Sequence, residues 1–207
     1  MSSLAGGILV ALAVLAVLLQ LALPAYLAGR VEDRLEEGGG TANVHLAAFP
    51  AVSLLVGRGG SLAAKGSGLR FDLSERRDDS FERLDGFERV EVSLRDLDAG
   101  PLQVGRFELS REGRDEDYEL VVHATTTPRA LARQLGSVAG GPLGGLVGSL
   151  AGGIAPGAGR TRVPLELYAT VASEDGRAEV AAAGGSVAGL SAGPLAKVVL
   201  AVVLDRL

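Results

Sequence analysis

Two histidines, His45 and His123, are the side chains of this 207-residue chain best suited to move a proton or hold a metal near neutral pH. Each sits in a run of alternating polar and apolar residues, and their separation matches no metal-ligand spacing, so both read as half-exposed strand residues. The carboxylates of Asp78-Asp79 and of Asp115-Glu116-Asp117 lack the alternating ligands of a calcium loop and read as solvated turns. The sequence contains no His-Glu-x-x-His, no nucleophile elbow, no P-loop and no G-x-G-x-x-G following a strand. With no cysteine, thiolate metal sites and disulfides are excluded. The net charge of -5 and the lack of Tyr, Phe and Arg interleaved on one strand argue against a nucleic-acid partner. No catalytic constellation emerges; the chain reads as a non-enzyme without a cofactor, and its chemistry must lie in apolar surface.

That surface begins at the N-terminus. No charged residue occurs before Arg30, and Leu4 to Leu23 is an almost unbroken aliphatic run with Gln20 its only strongly polar member. Twenty residues at about 1.5 Å rise span roughly 30 Å, the hydrocarbon thickness of a bilayer. A cleaved secretory signal has a shorter apolar core behind a basic n-region, whereas Met1-Ser2-Ser3 carries only the amino terminus. An uncleaved anchor over residues 1–29 is therefore the first reading and a cleaved signal the second. Pro24 predicts a kink, after which Tyr26 to Glu37 has helical spacing up to Gly38-Gly39-Gly40.

Beyond the glycines the period changes to two. Val44 to Phe49 reads as a short extended segment, and Pro50 opens a helical turn ending at Gly57. Leu69, Phe71 and Leu73 alternate with polar residues, as do Val90, Val92 and Leu94. Leu102, Val104, Phe107 and Leu109 predict a strand whose phase slips at Gly105, the mark of a bulge. An acidic hairpin tip over Glu112 to Asp117 leads into Tyr118, Leu120, Val122 and Ala124, and Asp175-Gly176 predicts a later turn after Leu165, Leu167, Ala169 and Val171. Pro128 opens a middle helix behind Thr126 or Thr127, and Pro194 to Leu207 reads as a helix too apolar to face water and too short to cross a bilayer. The uncharged segment 135–159 carries glycines at 136, 140, 144, 148 and 152; it reads as a Gly-rich loop, a membrane-touching segment or a second span. The fold class is α+β: one domain over residues 30–207, a curved antiparallel sheet wrapped around the C-terminal aliphatic helix. A groove lined this way accepts acyl chains at about 0.8 kcal/mol per buried CH₂, while the same residues also make an ordinary packed core.

In order along the chain, the acidic helix Arg30-Val31-Glu32-Asp33-Arg34-Leu35-Glu36, the segment Phe49-Pro50-Ala51-Val52-Ser53-Leu54-Leu55-Val56-Gly57, the strand meander and Thr125-Thr126-Thr127-Pro128-Arg129-Ala130-Leu131-Ala132 before the last hairpin and helix form a pattern. It resembles the LmeA-like family of actinobacterial envelope phospholipid-binding proteins, which are similar to tubular lipid-binding (TULIP) domains. The Gly-rich insert after Gln134 is longer than the family pattern, and the anchor lacks a secreted member's basic n-region. The resemblance implies an extracytoplasmic domain that binds phospholipid or glycolipid for envelope transport or glycolipid assembly, held to the bilayer by its N-terminal segment or released after signal cleavage. Charge alone points weakly the other way, since Arg30 and Arg34 follow the span. Acyl chains would lie against Phe71, Val92, Leu94, Phe107, Leu120, Val122 and Leu167 of the sheet and Val199, Val202 and Val203 of the last helix. Phe49, Leu54 and Leu55 would form a mouth near the bilayer, and Arg58 or Arg70 would meet a phosphate. The alternative is a membrane-tethered structural or adaptor module with a filled core.

Overall fold

The computed structural model describes residues 2–70, 80–100, 102–127, 162–174, 176–187 and 189–191, together with residues 196, 197 and 200. The chain starts with one helix, α1 (Ser2–Glu36). Pro24 lies inside it, so the aliphatic run and the acidic helix form one continuous element. Its C-terminal half packs along the neighbouring strand and turn, and such tertiary contacts hold a helix across the one hydrogen bond a proline removes. The stretch Val14–Glu36 is long and apolar enough to cross a membrane by length and composition.

There follow β1 (Thr41–Ala47), the 3-10 turn η1 (Ala51–Val56), β2 (Gly59–Ser67), α2 (Ser80–Asp85), β3 (Phe87–Ala99) and β4 (Leu102–Arg111). The chain continues through β5 (Tyr118–Thr126), β6 (Val163–Glu174), β7 (Arg177–Val187) and the two-residue β8 (Leu190–Ser191). All eight strands form one sheet in chain order. The fold is α+β with an N-terminal helix, but the sheet is mixed rather than antiparallel: β2 and β3 run parallel, joined by the crossover 68–86 that contains α2. Strand β2 escapes a sequence reading because Gly-Gly-Ser-Leu-Ala-Ala-Lys-Gly-Ser has no β-branched or aromatic residue; its strand geometry comes from pairing on both sides. The alternation read at Leu69 marks a buried leucine, with Arg70 in an isolated bridge to Asp98; Phe71 and Leu73 lie outside the described residues.

Two hairpins and one bulge fall where their local chemistry puts them. The register of β4 on β5 shifts between Val104 and Arg106, around Gly105. The acidic tip joins β4 to β5, and Gly176, at a φ of 77°, turns β6 into β7. The outer edge of β1 is covered by α1: the backbone N–H of Val44 donates to Glu32 Oε1 at 2.6 Å and that of Ala42 to Glu36 Oε1 at 2.7 Å. One helical turn separates the two carboxylates and two residues separate the two amides, so each helix turn meets one outward N–H of the strand. An edge strand blocked this way cannot pair with another chain.

The core lies on one face of the sheet, and Ala196 and Leu200 are fully buried in it. The rest of the predicted C-terminal helix, the middle helix from Pro128 and the Gly-rich segment 135–159 lie outside the described residues.

Candidate functional site

Side chains directly opposite one another in paired strands share a face, so the strand register assembles the predicted lipid-contact residues. Leu94 on β3 faces Phe107 on β4, Phe107 faces Val122 on β5, and Val122 faces Leu167 on β6. This row ends in small residues, Gly66 on β2 and Gly185 on β7. The adjacent row runs Ala64, Val92, Leu109, Leu120 and Ala169 across the same strands. Six of the sequence-predicted residues therefore lie in two neighbouring rows of one apolar face. Leu94, Leu120, Val122 and Leu167 are buried, while Val92 and Phe107 pack against this core and keep part of their surface accessible. Phe71, Val199, Val202 and Val203 lie outside the described residues.

The predicted mouth is arranged differently. Leu54 points into the core, packed with the sheet residues. Phe49 is 91% exposed and Leu55 65% exposed, and they are joined by Val52 and Val56, which the sequence reading did not select. This tip is tied to α1 by a single polar side chain. The Gln20 amide donates from Nε2 to the carbonyl of Ala48 and accepts the N–H of Ala51 at Oε1, both at 2.7 Å. The signal for this contact was in the sequence: Gln20 is the lone strongly polar residue of the aliphatic run. Within the tip, the Ser53 hydroxyl donates to a backbone carbonyl, with the carbonyls of Pro50 and Arg58 both 2.9 Å from Oγ. The N–H groups of Ser53, Gly57 and Arg58 bond to the carbonyls of Pro50, Leu54 and Ser53. Gly57 closes the turn at a φ of 69°, and its carbonyl lies so close to Gly86 that a side chain there would collide with it.

Beside the tip, where β3 begins, lies a polar cluster that no sequence pattern announced. Arg111 donates through Nη1 to Asp85 Oδ1 at 3.0 Å and through Nη2 to the carbonyl of Phe87 at 2.5 Å. Tyr118 donates its hydroxyl to the same Asp85 oxygen at 2.8 Å, and Ser173 donates to Oδ2 at 2.5 Å from 88 positions along the chain. The Arg111 guanidinium stacks 4.4 Å over the Tyr118 ring, and Phe81 meets that ring edge-on with centroids 5.2 Å apart. Burial pushes the Tyr118 hydroxyl well above the usual tyrosine value, and its hydrogen bond to Asp85 pushes the same way against the opposing charge of Arg111. The cluster fastens the crossover helix α2 to β4, β5 and β6; within it Asp85 accepts from three side chains, while the Arg111 Nε stays buried without a hydrogen-bond partner.

The two phosphate candidates are separated. Arg58 adjoins the tip, whereas Arg70 follows the far end of β2, about 26 Å away by strand rise. His45 and His123 are exposed strand residues. His123 borders a groove of about 470 Å³ at the far end of the sheet, with Asp96, Asp98 and Glu166 on its rim. Among the described residues no group of three or more His, Asp or Glu is placed to hold a metal ion. No family model, curated protein or solved structure matches this chain.

Proposed function

We propose that this protein is a membrane-anchored, non-catalytic binder of lipid acyl chains, whose apolar sheet face receives the tails of a phospholipid or glycolipid. Residues 1–29 form a retained anchor, the domain stands outside the cytoplasm, and the sheet curves around the C-terminal helix in TULIP fashion. The reading places the protein in envelope lipid transport or glycolipid assembly, by its likeness to LmeA-like proteins. The observation that carries it is the partial accessibility of Val92 and Phe107 on a face whose neighbouring residues are buried. A close-packed core leaves few gaps among its own side chains, whereas these two keep accessible surface beside buried neighbours. Retention of the anchor is supported by packing: Ala28 is buried against Val44 and Ala64, and Gln20 holds the tip, so cleavage near Ala28 would remove part of the domain.

The second reading, a tethered structural module, is favoured by the burial of Leu94, Leu120, Val122 and Leu167, which a filled core also requires. Native mass spectrometry with lipid extraction separates the two, using the full chain purified in detergent from its own host. The expected result is one phospholipid or glycolipid at fixed stoichiometry, reduced several-fold in a folded Phe107→Ser variant. A lipid-free protein that also takes up no added phospholipid overturns the carrier reading in favour of the structural module.

A further inference from the structure

The tip exposes Phe49, Val52, Leu55 and Val56 together, with no charge anywhere between His45 and Arg58. Its height is set by the anchor itself, because Gln20 bonds to both sides of the turn. Gln20 lies three residues, about 4.5 Å, inside the end of the Leu4–Leu23 run, and ten residues, about 15 Å, before the first charge at Arg30. A bilayer that accepts the aliphatic run of α1 therefore reaches the level of the tip. Tyr26, 63% exposed and about 9 Å further along α1, sits where an interfacial aromatic belongs. The hydrogen bonding of the tip fits the same environment. Backbone groups entering hydrocarbon must find partners within the protein, and the polar groups of Gln20 and Ser53, with the N–H groups of Ala51, Ser53, Gly57 and Arg58, all do so.

We propose that residues 48–56 are a second membrane-insertion element, entering the same leaflet that α1 crosses, with Gln20 as the clamp that fixes their depth. The occupant of this apolar surface is the bilayer, because the element that fixes the tip's position is the membrane helix. The proposal rests on α1 being a membrane anchor, and not on lipid occupying the sheet face. The inserted tip would hold the domain against the surface, with Arg58 beside it at the headgroup level.

The chain has no tryptophan, so a single substitution gives an unambiguous depth probe. Full-length Phe49→Trp, Val17→Trp and Tyr168→Trp proteins, each carrying one indole, are reconstituted in phosphatidylcholine–phosphatidylglycerol vesicles. Quenching by acyl-brominated lipid is compared with quenching by aqueous iodide. The expected result is blue-shifted emission and quenching by brominated lipid for Phe49→Trp and Val17→Trp, and iodide quenching alone for Tyr168→Trp on the outer face of the sheet. Adding Gln20→Leu to Phe49→Trp should weaken brominated-lipid quenching at the tip; no change would overturn the role of Gln20 as clamp. If Val17→Trp is quenched by brominated lipid while Phe49→Trp is quenched only by iodide, the insertion proposal is overturned and the anchor stands. If neither responds to brominated lipid, the anchor reading and the proposal fall together.

Discussion

At the end of the sheet where β2 and β3 begin, two neighbouring regions invert the usual relation between residue type and exposure. The tip leaves Phe49 91% exposed, while Arg111, at the same end of the sheet, is only 4% exposed. The buried arginine finds its partners inside the fold: one carboxylate, two backbone carbonyls and the face of an aromatic ring. The exposed phenylalanine and its aliphatic neighbours find none, although the N–H groups of Ala51, Ser53, Gly57 and Arg58 beneath them are bonded within the protein. A polar group that has been buried can be satisfied internally, but an apolar group that has been exposed gains only from something outside. The cluster therefore reads as a structural device, and the tip is the surface for which we propose the bilayer as partner.

The strongest way to break this contrast is to remove the group on which the cluster converges. Asp85→Ala deletes the shared acceptor of Arg111, Tyr118 and Ser173 and leaves a guanidinium buried without a counter-charge. Removing one partner of such a pair costs about 3 kcal/mol, at the low end because the Asp85 side chain is itself 30% exposed. Chemical denaturation of the full chain in detergent should show that loss. Unchanged stability would mean that the cluster is not what holds α2 to the sheet.

A smaller effect comes from Tyr118, and its direction follows from linkage. Burial and the hydrogen bond to Asp85 raise the folded-state pKa above the unfolded value of about 10. The contribution is complete below pH about 10, where both states carry the proton. It is lost as the pH rises further, because only the unfolded chain then ionises readily. Denaturation followed up through that range should show falling stability, and Tyr118→Phe should flatten the fall while costing about 1.5 kcal/mol at neutral pH through its lost hydrogen bond. An alkaline limb of equal slope in both proteins would remove Tyr118 as its source.

How legible these regions were in the sequence follows from the range of the interactions that make them. Local patterns carried the period-two strands β3 to β6, the Gly105 slip, the acidic hairpin tip and the turn at Gly176, each of which is decided within a few residues. The alternation also assigned Val92, Leu94, Phe107, Leu120, Val122 and Leu167 to one face, which the register then placed in two rows. Strand β2 was hidden because its composition argues against a strand and only its neighbours make it one. The Asp85–Ser173 contact joins residues 88 positions apart with no periodicity between them. Leu54 and Leu55, adjacent in sequence, point to opposite sides of a 3-10 turn, and hydrophobicity alone cannot tell the inward one from the outward one.

The smallest expected effect tests whether the helix that carries the tip also guards the sheet. Glu32 and Glu36 were legible as members of an acidic helix, yet their partners, the outward amides of β1, become visible only once helix and strand lie side by side. The Glu32 carboxylate accepts from Val44 N–H in a partly buried bond, so Glu32→Ala should cost about 1 kcal/mol. Global unfolding barely registers such a change, whereas hydrogen exchange reads it directly: the Val44 amide should exchange several-fold faster, while Ala42, held by Glu36, keeps its protection. Glu32→Gln retains an acceptor oxygen and should restore most of the protection at Val44. Quenching of the Phe49→Trp indole by brominated lipid should not change in Glu32→Ala, because Gln20, the clamp we propose for the tip, lies more than three helical turns away. Loss of that quenching would instead show that α1 holds strand edge and tip as one unit, so that exposing the edge also withdraws the tip.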